Sequence, residues 1–385
     1  MKKENTRIYF DNAATTPVDE RVVEAMMPFF SEKFGNPSSL HSFGQEALFA
    51  VDDAREKVAN FLNCKEKEVS FLSSATEANN LAILGILKKV DDPHVIVPPF
   101  EHKAVLEPVK ESGAEIDHLP VSKEGVVKKE KLREMIKENT VLVSVGYANS
   151  EIGTLQPVEE IGEIIREENE KRGKRVVFHT DAVQAVNFFS CDVQKLNVDL
   201  LTMSGHKIYG PKGVAALYIR EVTKLFPLMY GASQEKGMKP CTENVPGIVG
   251  LGVAVDLLKE NDVRKMREMR DKLWEGIKNN VPDVRLNGSK EKRLPHNLNL
   301  SFKGAEGESI MMALDKEGIA VSTGSACASD SLSPSHVLLS IGLSHEEAHG
   351  SVRITLGRFT KEREVDQLLE KLPPIVEKLR KISGK

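Results

Sequence analysis

Two residues of the chain, Asp181 and Lys207, have types and positions that together could do covalent chemistry. Each closely follows a short run of apolar, β-branched residues. A lysine amine can bind an aldehyde covalently, and a carboxylate can keep the nitrogen of an aromatic ring protonated. Most lysines are solvated surface groups, but the small and polar residues of Ser204–Lys207 at the end of an apolar segment favour a functional lysine.

The elements that would position these residues alternate along the first part of the chain. Apolar runs predict strands at Val69–Leu72, His94–Pro98, Val141–Val145, Arg175–His179, Leu200–Met203 and Val214–Ile219. Amphipathic patterns predict helices at Glu46–Leu62, Thr76–Lys89, Ala104–Ser112, Lys129–Glu138 and Val158–Lys171. This alternation is typical of an α/β domain with a mainly parallel sheet that is covered by helices on both faces.

In such sheets, ligands bind beyond the carboxyl ends of the strands. Ser74–Thr76 follow the first predicted strand and open a helix, where backbone N–H groups and the Thr76 hydroxyl could bind an anion. The alternative is an ordinary N-cap. With Asp181 and Lys207 at two further strand ends, the pattern predicts a pyridoxal phosphate enzyme, in which Ser204 and His206 help bind the phosphate.

The pattern changes after about residue 255. A long charged helix is predicted at Glu260–Asn280, and the elements after it are predicted at Asn297–Phe302, Ser309–Glu317, Ile319–Ser322, Val352–Leu356 and 361–381. Strands and helices in this order are typical of a smaller α+β domain. We therefore expect a large domain over 13–255 and a small domain formed by 1–12 and 256–385.

Composition excludes several classes of protein. The 385 residues are 40% hydrophobic and 29% charged, with Lys+Arg 53 against Asp+Glu 57. The two signs are interspersed, so neither a nucleic-acid-binding face nor a membrane-surface patch is expected. No apolar run approaches the ~20 residues that span a bilayer, and the N-terminus does not resemble a secretory signal. The four cysteines form no C-x-x-C pair, which favours a reducing, cytoplasmic location.

The chain resembles a known family along nearly its whole length. The motifs that carry the resemblance are NAATTP (Asn12–Pro17), FGNPSS (Phe34–Ser39), SSATEANNLAI (Ser73–Ile83), EHKAV (Glu101–Val105), NSEIGT (Asn149–Thr154), DAVQ (Asp181–Gln184), SGHKIYGPKG (Ser204–Gly213), STGSACAS (Ser322–Ser329) and SVRITLGRFT (Ser351–Thr360). They resemble those of the cysteine desulfurases, in the NifS/IscS-like branch of the fold-type I pyridoxal phosphate enzymes. The resemblance implies a mainly parallel seven-stranded sheet in the large domain.

The resemblance also implies roles for individual residues. Lys207 corresponds to the lysine that binds pyridoxal 5'-phosphate, Cys327 to the nucleophile, and His102 to the residue that stacks on the ring and moves protons. Arg353, with Asn149, would bind the substrate carboxylate, which suits a planar guanidinium. The other implied cofactor contacts are Ala75, Thr76, Asn149, Asp181, Gln184, Ser204, His206 and, from the partner subunit, Thr242. No metal is implied.

One segment departs from the family's motifs, and two others resemble motifs of unrelated sites. The family usually has R-S-G-T where this chain has Lys239-Pro240-Cys241-Thr242, so the geometry of the contact between subunits is open. His345–His349 matches the H-E-x-x-H zinc motif, but Gly350 would end the helix that the motif needs. The glycines of Gly247–Gly252 follow no strand and are interpreted as close helix packing.

The function that the resemblance implies is desulfuration of L-cysteine by a homodimer. The products would be L-alanine and a persulfide on Cys327, which passes its sulfur to an iron–sulfur scaffold or another acceptor protein. Two alternatives stay open on the same fold, a selenocysteine lyase and a cysteine or cystine β-lyase. A third is a non-catalytic subunit of sulfur-transfer assemblies. Cys64 and Cys191 are interpreted as structural, and Cys241 has no assigned role.

Overall fold

The computed structural model of the protein describes residues 7–258, 260–324 and 333–384. The strands are β1 (Ile8–Tyr9), β2 (Val69–Leu72), β3 (His94–Val97), β4 (Glu115–His118), β5 (Thr140–Ser144), β6 (Val177–Asp181), β7 (Leu200–Ser204), β8 (Ala215–Ile219), β9 (Val284–Leu286), β10 (Asn297–Phe302), β11 (Ile319–Ala320) and β12 (Ser351–Thr355). The helices are α1 (Glu20–Met26), α2 (Pro28–Ser31), α3 (Ser42–Leu62), α4 (Ala75–Leu87), α5 (Lys103–Glu111), α6 (Leu132–Met135), α7 (Val158–Lys171), α8 (Val193–Leu196), α9 (Val245–Asp256), α10 (Glu260–Asn280), α11 (Gly307–Lys316), α12 (His336–Ser340), α13 (His345–His349) and α14 (Glu362–Ile382).

A seven-stranded sheet carries the larger part of the molecule, in the order β2-β8-β7-β6-β5-β3-β4. All neighbouring strands are parallel except at β8, which is antiparallel to both β2 and β7. Every residue of β2, β3 and β7 is buried, because helices cover both faces. The predicted mainly parallel α/β fold is therefore confirmed.

The seventh strand, β4, was not predicted from its sequence. It lies at the edge of the sheet beside β3, and Glu115 and His118 at its ends are exposed. A four-residue edge strand with charged residues lacks the continuous apolar run that marks the buried strands. Charge at such an edge also discourages pairing with other chains.

The predicted helix at Lys129–Glu138 is wrong at its C-terminal end. The structure has a 3-10 turn at Lys129–Lys131 and then only the single turn of α6. The chain leaves the helix at Ile136, whose backbone is extended, and turns at Glu138 and Asn139. Arg172 donates hydrogen bonds to the carbonyl oxygens of Lys137 and Glu138, at 2.7 and 2.9 Å. These two carbonyl oxygens thus accept hydrogen bonds from the distant side chain of Arg172 and not from backbone N–H groups of the predicted helix.

A second hydrophobic cluster lies outside the seven-stranded sheet. It includes Leu300 of β10, Val352 of β12, Leu273 of α10 and Leu368 of α14. Phe10 from the N-terminal segment packs into the same cluster, and β1 pairs with β11 in parallel. The division of the chain into domains over 13–255 and over 1–12 with 256–385 stays a prediction. The two clusters support it in part, since Val337, Leu338 and Ala348 of α12 and α13 join the core of the large sheet.

The interpretation of Gly247–Gly252 as close helix packing is confirmed by the contact between α9 and α3. A Cβ atom at Gly252 would lie 2.9 Å from the Cα of Ala54. The zinc-like motif forms only the five-residue helix α13. Among the described residues, no group of His, Cys, Asp or Glu is arranged to hold a metal ion, and no helix is long and apolar enough to cross a membrane.

Candidate active site

A cavity of about 240 Å³ opens at the carboxyl ends of the parallel strands. Most of the residues predicted from sequence line its wall. They are Ala75, Thr76, His102, Asn149, Asp181, Gln184, His206, Lys207 and Arg353. Residues far apart in the chain therefore meet at one site, as the positions of the strand ends predict.

Lys207 enters the cavity from a 3-10 turn that directly follows β7. Its Nζ lies 2.5 Å from the carbonyl oxygen of Ala13 and 2.6 Å from that of Ala14. The neighbouring His206 places its Nδ1 3.2 Å from the hydroxyl of Thr15, and burial together with the nearby Lys207 charge lowers its pKa to about 4. The N-terminal segment thus holds the lysine in position by backbone contacts.

Asp181 is the last residue of β6, and both of its carboxylate oxygens accept hydrogen bonds. Oδ2 accepts from Nδ2 of Asn79 at 2.7 Å, and Oδ1 accepts from the backbone N–H of Val183 at 3.0 Å. Asn79 is fully buried on α4, and the sequence analysis missed it. The available signal was an asparagine among apolar residues on the buried side of a predicted helix.

The N-terminus of α4 faces the same cavity. Ser74 is its N-cap and accepts a hydrogen bond from the backbone N–H of Glu77 at 3.1 Å. The first N–H groups of any helix lack partners within the helix, and Ala75 and Thr76 supply these groups to the cavity wall. The two interpretations of this motif, an N-cap and an anion site, are therefore compatible.

His102 and Glu101 precede α5 and contribute two titratable groups. Nδ1 of His102 accepts a hydrogen bond from the N–H of Ala104 at 3.0 Å, so the neutral imidazole carries its proton on Nε2. Desolvation lowers the pKa of His102. Glu101, which the sequence analysis missed, accepts a hydrogen bond from the N–H of Gly146 at 2.9 Å, and burial raises its pKa to about 8.

Arg353, on β12, is the buried cation of the site, with only 2% of its surface exposed. Nη1 donates to the carbonyl oxygen of Ser150 at 3.1 Å, and Nη2 donates to Oδ1 of Asp11 at 2.8 Å. Its Nε has no hydrogen-bond partner within the described part of the chain. Nε of Arg353 can therefore donate a hydrogen bond to a further anionic group without breaking either contact.

Asn149 has its amide largely committed to the protein. Its Nδ2 donates to the carbonyl oxygen of Phe100 at 3.1 Å, and its Oδ1 accepts from the N–H groups of Glu151 and Ile152. One N–H of the amide stays available to a ligand. Glu151 and His336 also line the cavity, and neither was predicted from sequence.

Two predicted residues within the described ranges, Ser204 and Thr242, do not line the cavity. Ser204 is buried at the end of β7, and Thr242 is exposed on the surface of the chain. Cys327 lies outside the described residues. Their predicted roles stay predictions.

Comparison with known proteins places the chain in a family. Residues 8–368 match the family model described as aminotransferase class-V. The chain belongs to the aminotransferase class-V family. Members of this family use pyridoxal 5'-phosphate, and the donor set of the cavity fits that group. The cavity offers a lysine amine, a carboxylate anchored by Asn79, and the N–H groups of a helix N-terminus.

Three relatives within the aminotransferase class-V family are similar along nearly the whole chain. A cysteine desulfurase IscS of Dictyoglomus turgidum is 46% identical over 391 residues, covering 100% of this chain and 97% of its own. A solved structure described as a NifS-like protein has a TM-score of 0.90 at 38% identity, covering 97% of this chain and 100% of its own. A structure titled SspA in complex with cysteine has a TM-score of 0.81 at 36% identity, covering 92% and 100%.

Proposed function

We propose that the protein is a pyridoxal phosphate-dependent cysteine desulfurase, which converts L-cysteine to L-alanine and keeps the sulfur as an enzyme persulfide. The observation that carries the proposal is the meeting of Lys207, Asp181 and Arg353 at one cavity. They supply an amine for an aldehyde, a carboxylate for a ring nitrogen and a buried cation for a carboxylate. The similarity to cysteine desulfurases supports the same substrate.

The cofactor would be held by residues from several elements. Lys207 would bind its aldehyde covalently, Asp181 would pair with its ring nitrogen, and His102 would stack on the ring. The residues assigned to its phosphate and phenolic oxygens are Ala75, Thr76, Asn149, Gln184, Ser204, His206 and, from the partner subunit, Thr242. When bound, pyridoxal phosphate supplies an electron sink for negative charge at the substrate α-carbon.

The protein's own groups then bind the substrate and move protons. Arg353 and the available N–H of Asn149 bind the carboxylate and fix the orientation of the amino acid. We assign proton transfer to and from the substrate to Nζ of Lys207 and Nε2 of His102, which both line the cavity. Because its pKa is lowered, His102 is neutral at pH 7.

Sulfur transfer requires a thiolate, and we assign that role to Cys327. The thiolate forms an S–S bond to the substrate sulfur as the Cβ–S bond breaks, and the carbon fragment is protonated to L-alanine. Burial raises the pKa of both Cys64 and Cys191 to about 12, so these thiols are poor nucleophiles. Cys241 is exposed, but it does not line the cavity.

The proposal is tested by following both products of L-cysteine. The wild-type holoenzyme should form L-alanine and gain sulfur, which mass spectrometry detects on Cys327. Cys327→Ser should retain the yellow cofactor but form no alanine and gain no sulfur, whereas Cys64→Ser and Cys241→Ser should stay active. Alanine release by Cys327→Ser at the wild-type rate would contradict the role of Cys327 as sulfur acceptor, and release of pyruvate and sulfide in place of alanine would favour a β-lyase.

The proposed enzyme is a homodimer. Large apolar side chains are exposed on α2, on α3 and in the loop between them, including Phe30, Phe34, Leu40, Phe43 and Phe49. Exposed apolar patches of this kind are typical of protein interfaces. A second copy of the chain covering this patch would also account for Thr242, which is exposed and outside the cavity of its own subunit.

The outer sulfur of the persulfide must leave the enzyme, so a sulfur-acceptor protein such as an iron–sulfur scaffold is part of the proposal. A thiol on a protein acceptor can take the outer sulfur from Cys327 by thiol exchange. A cytoplasmic location, which rests on cysteine usage, and the absence of direct nucleic-acid binding stay predictions.

A further inference from the structure

We propose that Asp11 is a positioning residue, which sets the guanidinium of Arg353 for the carboxylate of the amino-acid substrate. This inference rests on the proposed function, in which Arg353 binds that carboxylate. Asp11 itself does not line the cavity, so it acts through Arg353 and not on the substrate directly.

The contacts of Arg353 fix the plane of its guanidinium. Nη2 is held by Asp11 at 2.8 Å, and Nη1 is held by the Ser150 carbonyl oxygen at 3.1 Å. Because a guanidinium is planar and its five N–H bonds have fixed directions, two contacts at different nitrogens set the direction of the remaining N–H groups. One of these, on Nε, is buried and lacks a partner among the described residues. The side chain is thus preorganised for one more acceptor.

The charge of Arg353 also needs a partner. A buried cation is costly unless a charge or several hydrogen bonds compensate it. Within the described part of the chain, Asp11 is the one carboxylate at ion-pair distance from Arg353. In the absence of substrate, Asp11 therefore compensates the charge of the guanidinium and holds it in place.

Asp11 is itself held by the strand that carries Arg353. It forms an isolated parallel bridge with Thr355, which lies two positions beyond Arg353 on the same face of β12. The next residue, Asn12, donates from Nδ2 to the carbonyl oxygen of Thr355 at 2.9 Å, and the N–H of Ala13 donates to the Thr355 hydroxyl at 3.0 Å. These contacts leave Asp11 little freedom to move away from Arg353.

The same segment reaches the cofactor lysine. The carbonyl oxygens of Ala13 and Ala14 lie at 2.5 and 2.6 Å from Nζ of Lys207. Residues 11–14 therefore contact both Arg353, which would bind the substrate carboxylate, and Lys207, which would bind the cofactor.

The test compares two ligands that differ only in the carboxylate. L-Alanine and ethylamine are titrated into the holoenzyme, and binding is measured from the change in cofactor absorption. In Asp11→Ala the affinity for L-alanine should fall about tenfold, since a charge-assisted contact that orients the guanidinium is lost. The affinity for ethylamine should change less than about twofold. Asp11→Asn keeps an acceptor at this position and should lose less affinity for L-alanine than Asp11→Ala.

Asp19→Ala is the matched control. Like Asp11, Asp19 is a carboxylate paired with arginine, at 2.7 Å from Arg21 and 3.3 Å from Arg358, and it does not line the cavity. The control should lose thermal stability and keep wild-type affinity for both ligands. Wild-type affinity of Asp11→Ala for L-alanine, or an equal loss for both ligands, would overturn the inference. Failure of the desulfurase proposal would instead appear as no alanine from L-cysteine, with these affinities unaffected.

Discussion

Asp181 and Glu101 are two carboxyl groups of one cavity with different surroundings. Asp181 accepts two hydrogen bonds, from Asn79 and Val183. Glu101 is buried, accepts one hydrogen bond from Gly146, and has a pKa raised to about 8. At pH 7 Glu101 is therefore protonated in the folded protein. Holding one acid neutral limits the repulsion between the two groups, since Asp181 is among the charges that raise the pKa of Glu101.

Glu101→Gln should change how stability depends on pH. The folded protein keeps the Glu101 proton up to about pH 8, whereas the unfolded chain releases it near 4.5. The folded state therefore binds more protons across this window, so wild-type stability from this group falls as pH rises from about 4.5 through 8. Glutamine does not titrate and should lack that fall.

The measurement is urea unfolding at pH 5.5 and pH 9. The free energy of unfolding of Glu101→Gln, relative to that of wild type, should be higher at pH 9 than at pH 5.5. Glu111→Gln, which changes an exposed residue of α5, the helix that follows Glu101, is the control and should show no such gain. An equal free energy difference between Glu101→Gln and wild type at both pH values would contradict the assignment of a neutral Glu101.

At the scale of elements, the contact between α3 and α9 shows how closely the helices behind the sheet approach. Gly252 of α9 faces Ala54 of α3, and a Cβ there would lie 2.9 Å from both the Cα and the Cβ of Ala54. Gly250 likewise approaches Met26 and Pro211. The small residues let α9 support α1, α2 and α3 on one side of the large sheet.

Gly252→Ala should destabilise the protein even though alanine favours helix. Alanine gains up to about 1 kcal/mol of helix propensity over glycine, whereas overpacking of a tight core typically costs about 1–3 kcal/mol. Thermal unfolding should therefore occur at a lower temperature than in wild type. Gly173→Ala is the control, because a Cβ there would meet nothing within 4 Å. A Gly252→Ala variant more stable than wild type would show that the helices can separate at little cost.

Local patterns predicted the buried strands and the residues at their carboxyl ends, and the resemblance supplied most of their roles. Asp181 and Lys207 follow apolar runs, so the sequence places them at the correct edge of the sheet. Asp11, Asn79 and Glu101 could not be found in this way, because each acts through a contact with a residue far along the chain. The edge strand β4 was missed because its burial is too low to leave an apolar pattern.

At the scale of the whole molecule, exposed aromatic residues concentrate on one side of the large sheet. Phe30 is 61% exposed and Phe49 is 76% exposed. They lie on α2 and α3, which both pack on α9. Burial of a large aromatic side chain is favourable by about 1.5–3 kcal/mol relative to exposure to water. A second copy of the chain that covers this patch would be stabilised by the burial of several such side chains.

Replacing both aromatic residues, as Phe30→Glu with Phe49→Glu, should convert the proposed dimer into a monomer of 42.6 kDa. Buried like charges oppose association. Light scattering after size-exclusion chromatography measures the mass, and cofactor affinity should fall with it because Thr242 of the partner subunit is lost. Met312→Glu, which changes an exposed residue of α11, should leave the mass and the affinity unchanged. A dimeric double variant would place the interface elsewhere.

The ion pair between Asp11 and Arg353 also sets an order of events during synthesis of the protein. The two residues are 342 positions apart, so at about 5–20 residues per second the ribosome adds Arg353 roughly 20 to 70 s after Asp11. Until then Asp11 has no β12 to bridge, and the core that Phe10 joins lacks the side chains of β12 and α14. A nascent chain that already carries Lys207 still lacks the group that would bind the carboxylate of an amino acid. The proposed competence to bind substrate would therefore arrive with β12, the last of the described strands to be made.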